Sequence, residues 1–155
     1  MDETPRDGVD VLLVEDNPGD VRLAEEGFGA SSHDVTIHVV SDGGRALDFV
    51  YRRDEYADAP RPDLVMLDLN VPRVSGEEIL EELKGDPELR PIPVVVFTSS
   101  KSEEDVLGAY RRHANVCISK PVDPSEYIET MGRIVDLWFE LGWTPTKHVQ
   151  KRPAR

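Results

Sequence analysis

The chain has little with which to crosslink itself and nothing with which to cross a membrane as a helix. A single cysteine, Cys117, among 155 residues excludes an internal disulfide and cannot by itself build a structural zinc site. No stretch approaches the about 18 consecutive apolar residues that read as a transmembrane helix. Met1 to Asp10 has neither the basic start nor the apolar run of a signal peptide. A reducing, cytoplasmic setting is the expectation. Positive charge is scarce as well: 18 Lys+Arg stand against 31 Asp+Glu, for a net charge of -13. A field of that sign repels nucleic-acid phosphates and anionic lipid, so the partners expected include neither nucleic acid nor membrane. Only Lys84, Lys101, Lys120, Lys147 and Lys151 are lysines. Such an acid-rich, lysine-poor composition fits work at high salt, where self-repulsion is screened.

The length allows one domain with a proper core. Four short apolar runs stand out, Val11 to Val14, Val35 to Val40, Leu64 to Leu67 and Val94 to Phe97, with a weaker fifth at Val116 to Ile118. Most are continuous blocks without alternation, the pattern of strands covered on both faces. Helix signals lie between them. Asn17-Pro18 gives an N-cap followed by proline, Ser75 to Glu78 and Ser102 to Asp105 have capping-box spacing, and Asp123 to Glu126 combines both devices. Gly85-Asp86-Pro87 ends the third helix. Tyr127, Met131, Ile134, Trp138 and Leu141 form an apolar stripe along a long last helix. Strands alternating with helices predict an α/β doubly wound sandwich around a parallel sheet. The expected organisation is a flexible leader over 1–9, a domain over 10–143 and a basic tail over 144–155. That tail holds Lys147, Lys151, Arg152 and Arg155 and no acid.

In an open parallel sheet, ligands bind beyond the carboxyl ends of the strands. The first strand ends in Glu15-Asp16, the third in Asp68 followed by Asn70, the fourth in Thr98-Ser99-Ser100 and the fifth in Lys120-Pro121. Carboxylates and a carbonyl are the hard oxygen ligands that Mg²⁺ prefers. A carboxylate is also a competent nucleophile for an acyl phosphate, and a lysine and a hydroxyl can hold phosphoryl oxygens. Each residue also has an ordinary reading: paired acids cap a helix, Asp68 is a turn residue before Pro72, Thr98 makes a local turn, Lys120 is an exposed lysine. Four strand ends carrying complementary groups in order favour phosphoryl chemistry.

These pieces resemble the response-regulator receiver domain (CheY-like). The resemblance runs from Val11 to about Leu137 and rests on Leu12 to Asn17, Leu67 to Pro72, Gly76, Val96 to Ser100 and Ser119-Lys120-Pro121. It implies a (βα)5 flavodoxin-like fold with strand order 2-1-3-4-5. Asp68 would accept a phosphoryl group from a sensor histidine kinase, and Asp16, Asp68 and the Asn70 backbone carbonyl would bind Mg²⁺, with Glu15 acting through water. Lys120 would pair with Asp68 and Thr98 would move onto a phosphoryl oxygen. The domain would be a switch and not an enzyme, with slow autophosphorylation from small donors and slow loss of its own phosphate, influenced by Asn70 and Ser100. A narrower likeness, in Asp68 to Pro72, Ile92 to Val96, His113-Ala114-Asn115, Leu137-Trp138-Phe139 and Pro145, is to single-domain regulators paired with phytochrome-type or related histidine kinases.

Two departures stand against the pattern. Glu15-Asp16 replaces the commoner Asp-Asp, and Cys117 occupies the place, three before the lysine, where a switch aromatic usually sits. A buried, inert thiol is the expectation for Cys117. With no room for an effector domain, output is expected through a downstream protein target. A homodimer is expected through helices four and five, using Trp138, Phe139 and Trp143 with Val106 and Tyr110. Three rival readings are a haloacid-dehalogenase-type phosphatase, a non-phosphorylated pseudo-receiver and a flavin binder. The phosphatase would want an aspartate where Asn70 stands. The flavin binder would want a hydroxyl-rich loop where Glu15-Asp16 repels phosphate.

Overall fold

The apolar blocks assemble into one parallel sheet. The computed structural model describes residues 8–99 and 102–141. Its strands are β1 (Val9–Val14), β2 (Val35–Val40), β3 (Leu64–Leu67), β4 (Val94–Thr98) and β5 (Val116–Ser119), in the order β2-β1-β3-β4-β5. Pairing is parallel throughout, with Val11 beside Leu64, Val65 beside Val94 and Val96 beside Cys117. Every residue of β3 and β4 is buried, whereas the edge strands β2 and β5 are mostly half-buried. Continuous apolar sequence therefore marks the strands with helices over both faces.

Alternate residues of a strand point to opposite faces, and this divides the core in two. Leu12, Val14, Val65, Leu67, Val94 and Val96 face α2 (Gly43–Tyr51), α3 (Gly76–Gly85) and α4 (Glu103–Arg111), against Phe49, Leu80 and Ala109. Val11, Leu13, Leu64, Met66, Val95 and Phe97 face α1 (Pro18–Gly29) and α5 (Pro124–Asp136), against Phe28, Tyr127 and Met131. Gly27 lets α1 and α5 close on each other; a Cβ there would lie 2.5 Å from the Ile128 carbonyl oxygen and collide with Met131.

The caps follow the sequence. Asn17 accepts from the N–H groups of Gly19 and Asp20, and Pro18 opens α1. Ser75 and Glu78 form the reciprocal capping box, Ser102 accepts from Asp105 N–H, and Asp123 caps α5 ahead of Pro124. Asp42, unremarked in the sequence, caps α2 from a buried position.

Some boundaries differ from expectation. β1 begins at Val9, two residues ahead of its apolar block and inside the segment read as leader, because Val9 N–H already reaches the Asp34 carbonyl. The loop from Asp54 to Pro62 contains a 3-10 turn, Asp54–Tyr56. The long last helix is regular only to Asp136 and continues as a π-helical turn, Leu137–Leu141. Phe139, four residues after Val135 and eight after Met131, lies on the same buried face and packs into the core with them, so it is not the exposed residue the interface expectation needed. Trp138 is partly buried beside it, while Trp143, the tail over 144–155 and Ser100 lie outside the described residues.

The first turn of α3 packs directly on the chain leaving β3. A Cβ on Gly76 would collide with Leu69 Cα and lie 2.8 Å from the Asp68 carbonyl oxygen, whereas one on Gly85 would meet nothing within 4 Å. Gly76→Ala is expected to lower unfolding stability by about 1–3 kcal/mol. Gly85→Ala is expected to be neutral, or to stabilise by up to about 1 kcal/mol. Urea unfolding of the pair checks both.

Candidate phosphoryl-transfer and metal site

The strand ends are pinned by an extension of the sheet ladder. Glu15 N–H donates to the Val40 carbonyl, Asp68 N–H to the Val14 carbonyl and Lys120 N–H to the Thr98 carbonyl, at 3.0, 3.1 and 2.9 Å. Residues just past β1, β3 and β5 are thus held in register by backbone bonds before their side chains interact. Glu15 and Asp68 are buried at 3% and 7% exposure, and Thr98 at the end of β4 is buried too. Asp16 is exposed at the mouth.

Lys120 organises the interior. Its ammonium donates to Glu15 Oε1 at 2.6 Å, Asp20 Oδ2 at 2.9 Å and Asp68 Oδ2 at 3.0 Å. The second oxygens of Glu15 and Asp68 take backbone donors: Glu15 Oε2 accepts from Asn17 N–H and Asp68 Oδ1 from Asn70 N–H. Burial alone would push the lysine down. The hydrogen bonds to Glu15 and Asp20 and the charges of Asp68 and Glu15 outweigh it and hold the ammonium above its ordinary value. Burial pushes the Glu15 carboxyl up, a trend that Lys120 opposes and the charge of Asp68 reinforces.

Ligand oxygens of Glu15, Asp16 and Asp68 lie within 4.8 Å of one another. Hard oxygen donors at that spacing, with an acid excess that one ammonium does not neutralise, suit a divalent cation such as Mg²⁺ or Mn²⁺. The structure thus brings together Glu15, Asp16, Asp68 and Lys120, and sets Thr98 on the neighbouring strand. Asn70, two residues after Asp68, is exposed.

One residue here was not singled out in the sequence, and another takes a part other than the one expected. Asp20, in the first turn of α1, reads as an acid favouring the helix N-terminus, and nothing in its spacing announces a lysine 100 positions away. Tyr110 on α4 accepts a hydrogen bond at its hydroxyl from Cys117 N–H, 3.1 Å away on the outer edge of β5. Cys117 itself is only partly buried, because β5 is an edge strand. Burial, then the charge of Asp105, raises its thiol and leaves it mostly protonated near neutrality.

A doubly wound sheet with acids, a threonine and a lysine at successive strand ends defines a phosphoryl-switch class of protein, and the sequence relationships agree. Residues 11–131 match the response regulator receiver domain family. "Response regulator Rcp1" of Synechocystis sp. is 38% identical over 135 residues, 87% of this chain and 92% of that protein. The crystal structure of the phosphorylated cyanobacterial phytochrome response regulator RcpA superposes with a TM-score of 0.86 at 38% identity, covering 89% of this chain and 99% of that one. The Mn²⁺-bound form of Rcp1 superposes with a TM-score of 0.84 at 37% identity, covering 88% and 99%. The chain belongs to the response regulator receiver family, the receiving half of two-component signalling. The phosphatase and flavin-binder readings fall away with that membership.

The acid excess makes a stability prediction. Asp68→Asn removes one charge from the crowded interior, so in chelator it is expected to stabilise the protein by about 1 kcal/mol. A saturating divalent cation is expected to stabilise the wild type by about 2.7 kcal/mol at a hundredfold excess over Kd, and the variant by clearly less. Chemical unfolding with and without Mg²⁺ measures both changes.

Proposed function

We propose that Asp68 is the phosphoacceptor of a Mg²⁺-dependent response regulator. The observation that carries this reading is the shared position of Asp68. Its carboxylate lies 3.0 Å from the Lys120 ammonium and within 4.8 Å of the oxygens of Glu15 and Asp16. A carboxylate oxygen of Asp68 attacks phosphorus, and the bond from phosphorus to the donor, a phosphohistidine nitrogen or the acyl oxygen of a small donor, breaks as the new P–O bond forms. Lys120 neutralises a phosphoryl oxygen, and the Thr98 hydroxyl donates to another after transfer. Asp16, Asp68 and the Asn70 backbone carbonyl would hold the cation directly, with Glu15 acting through water. The bound cation supplies charge neutralisation at the equatorial phosphoryl oxygens. The same geometry supports slow autophosphorylation from small donors and slow hydrolysis of the aspartyl phosphate.

The donor in the cell is a sensor histidine kinase, and the likeness to the phytochrome response regulator RcpA favours one of the phytochrome type. Output passes through a downstream protein in the cytoplasm. A homodimer forms through α4 and the end of α5, with a changed set of anchors: Leu107 and Tyr110 on α4 and Leu137 just past α5 are exposed apolar residues, at 51%, 47% and 56%.

Incubation with acetyl phosphate and Mg²⁺ followed by intact-mass analysis tests the acceptor. A single phosphoryl adduct is expected on the wild type, lost in Asp68→Asn and on chelation. An adduct that persists in Asp68→Asn contradicts the assignment, and the absence of any adduct favours the pseudo-receiver. Size-exclusion chromatography with light scattering tests the dimer. Leu107→Asp is expected to shift it to monomer, and a wild type that is monomeric in both phosphorylation states removes it.

A further inference from the structure

An ammonium has three hydrogens to donate, and in Lys120 all three go to carboxylates: Glu15, Asp20 and Asp68. Two of these acceptors belong to the acid cluster that suits a cation. The third, Asp20, lies outside that cluster and reaches in from a different element, the first turn of α1. Its backbone is fixed there, because Asn17 Oδ1 accepts from Asp20 N–H at 3.2 Å. The Asp20 side chain is 25% exposed and that of Lys120 only 8%, so the acid turns inward to a buried partner although solvent is open to it.

We infer that Asp20 is a positioning residue for phosphoryl transfer, holding the Lys120 ammonium in place while Asp68 changes from carboxylate to acyl phosphate. This rests on the assignment of Asp68 as phosphoacceptor. When an Asp68 oxygen bonds to phosphorus, that side chain loses its carboxylate charge and its claim on the lysine weakens. A lysine ends in a flexible four-carbon stem. Glu15 alone, at 2.6 Å, would draw the ammonium toward the acid cluster. Asp20 supplies a second anchor from α1, independent of the end of β1. With both anchors kept, the third hydrogen passes from Asp68 to a phosphoryl oxygen without displacement of the nitrogen. Small displacements of a charged group at a reacting centre are costly in rate.

The test compares rates of adduct formation from acetyl phosphate and Mg²⁺ in wild type, Asp20→Ala, Asp20→Asn, Lys120→Ala and the Asp20→Ala/Lys120→Ala double variant. Asp20→Ala is expected to slow transfer about tenfold. Asp20→Asn, which keeps an oxygen acceptor, recovers most of the rate. In the Lys120→Ala background the alanine at 20 changes nothing further. A merely structural role would not produce that pattern, since it would slow both backgrounds alike. Wild-type rate in Asp20→Ala, equal slowing in both backgrounds, or Asp20→Asn as slow as Asp20→Ala overturns the inference while leaving the Asp68 assignment standing. Failure of the wild type itself to take a phosphoryl group overturns both. The ¹Hζ–¹⁵Nζ resonance of Lys120 gives a second readout that needs no chemistry. It is expected to be sharp and slowly exchanging in the wild type and broadened in Asp20→Ala, and an unchanged resonance overturns the anchoring.

Discussion

Carboxylates gathered at one end of a sheet repel each other, and in this protein a single buried ammonium holds them together. Lys120 stands between Glu15, Asp20 and Asp68 with every hydrogen committed. Taking charges out of water costs several kcal/mol per ion, and close pairing with good hydrogen bonds is what offsets it. The balance is incomplete, because Asp16 adds a further carboxylate at the mouth. A site left with surplus negative charge, built from hard oxygen donors, is poised for a divalent cation and then for a dianionic phosphoryl group. Stability and function lean on the same electrostatic shortfall.

The fold delivers this arrangement through backbone register. Parallel strands present all their carboxyl ends on one rim, and ladder bonds continue one residue beyond β1 and β3 to fix Glu15 and Asp68. A further backbone bond ties Lys120 to Thr98. On one face α1 is drawn tight against α5 at Gly27, and its N-cap at Asn17 sets the turn that carries Asp20. On the other face Gly76 allows α3 to pack on the chain leaving Asp68. Glycines at these two points place the helices, and the helices place the side chains.

The layered core was legible in the sequence because strands covered on both faces leave unbroken apolar blocks, as β3 and β4 do. The caps of α1, α3, α4 and α5 were equally visible, since an oxygen followed at fixed spacing by an acid or proline has a local cause, whereas Asp42 ahead of Gly43-Gly44-Arg45 carries no such mark. Glu15, Asp16, Asp68, Thr98 and Lys120 were found by their position at strand ends. Asp20 was not, because its role depends on which way the first turn of α1 faces, and a first-turn acid has a sufficient local reason to be there. Tyr110 was singled out only as an interface residue; its hydroxyl meets an edge-strand N–H that only the packed α4 brings near. Long-range geometry, not composition, decides such cases. Phe139 was read with its aromatic neighbours as an interface residue, although its spacing from Met131 and Val135 puts it on their buried face.

Membership in the receiver family and the placement of these residues converge on one spatial claim, that Asp16 and Asp68 share a cation within reach of the Lys120 amine. A crystal grown with Mn²⁺ and measured at the manganese absorption edge examines it directly. The account predicts an anomalous peak bonded to carboxylate oxygens of Asp16 and Asp68, with Lys120 Nζ still within hydrogen-bonding distance of Asp68. A peak elsewhere on the molecule, or a lysine displaced out of the site when the metal is bound, would contradict it.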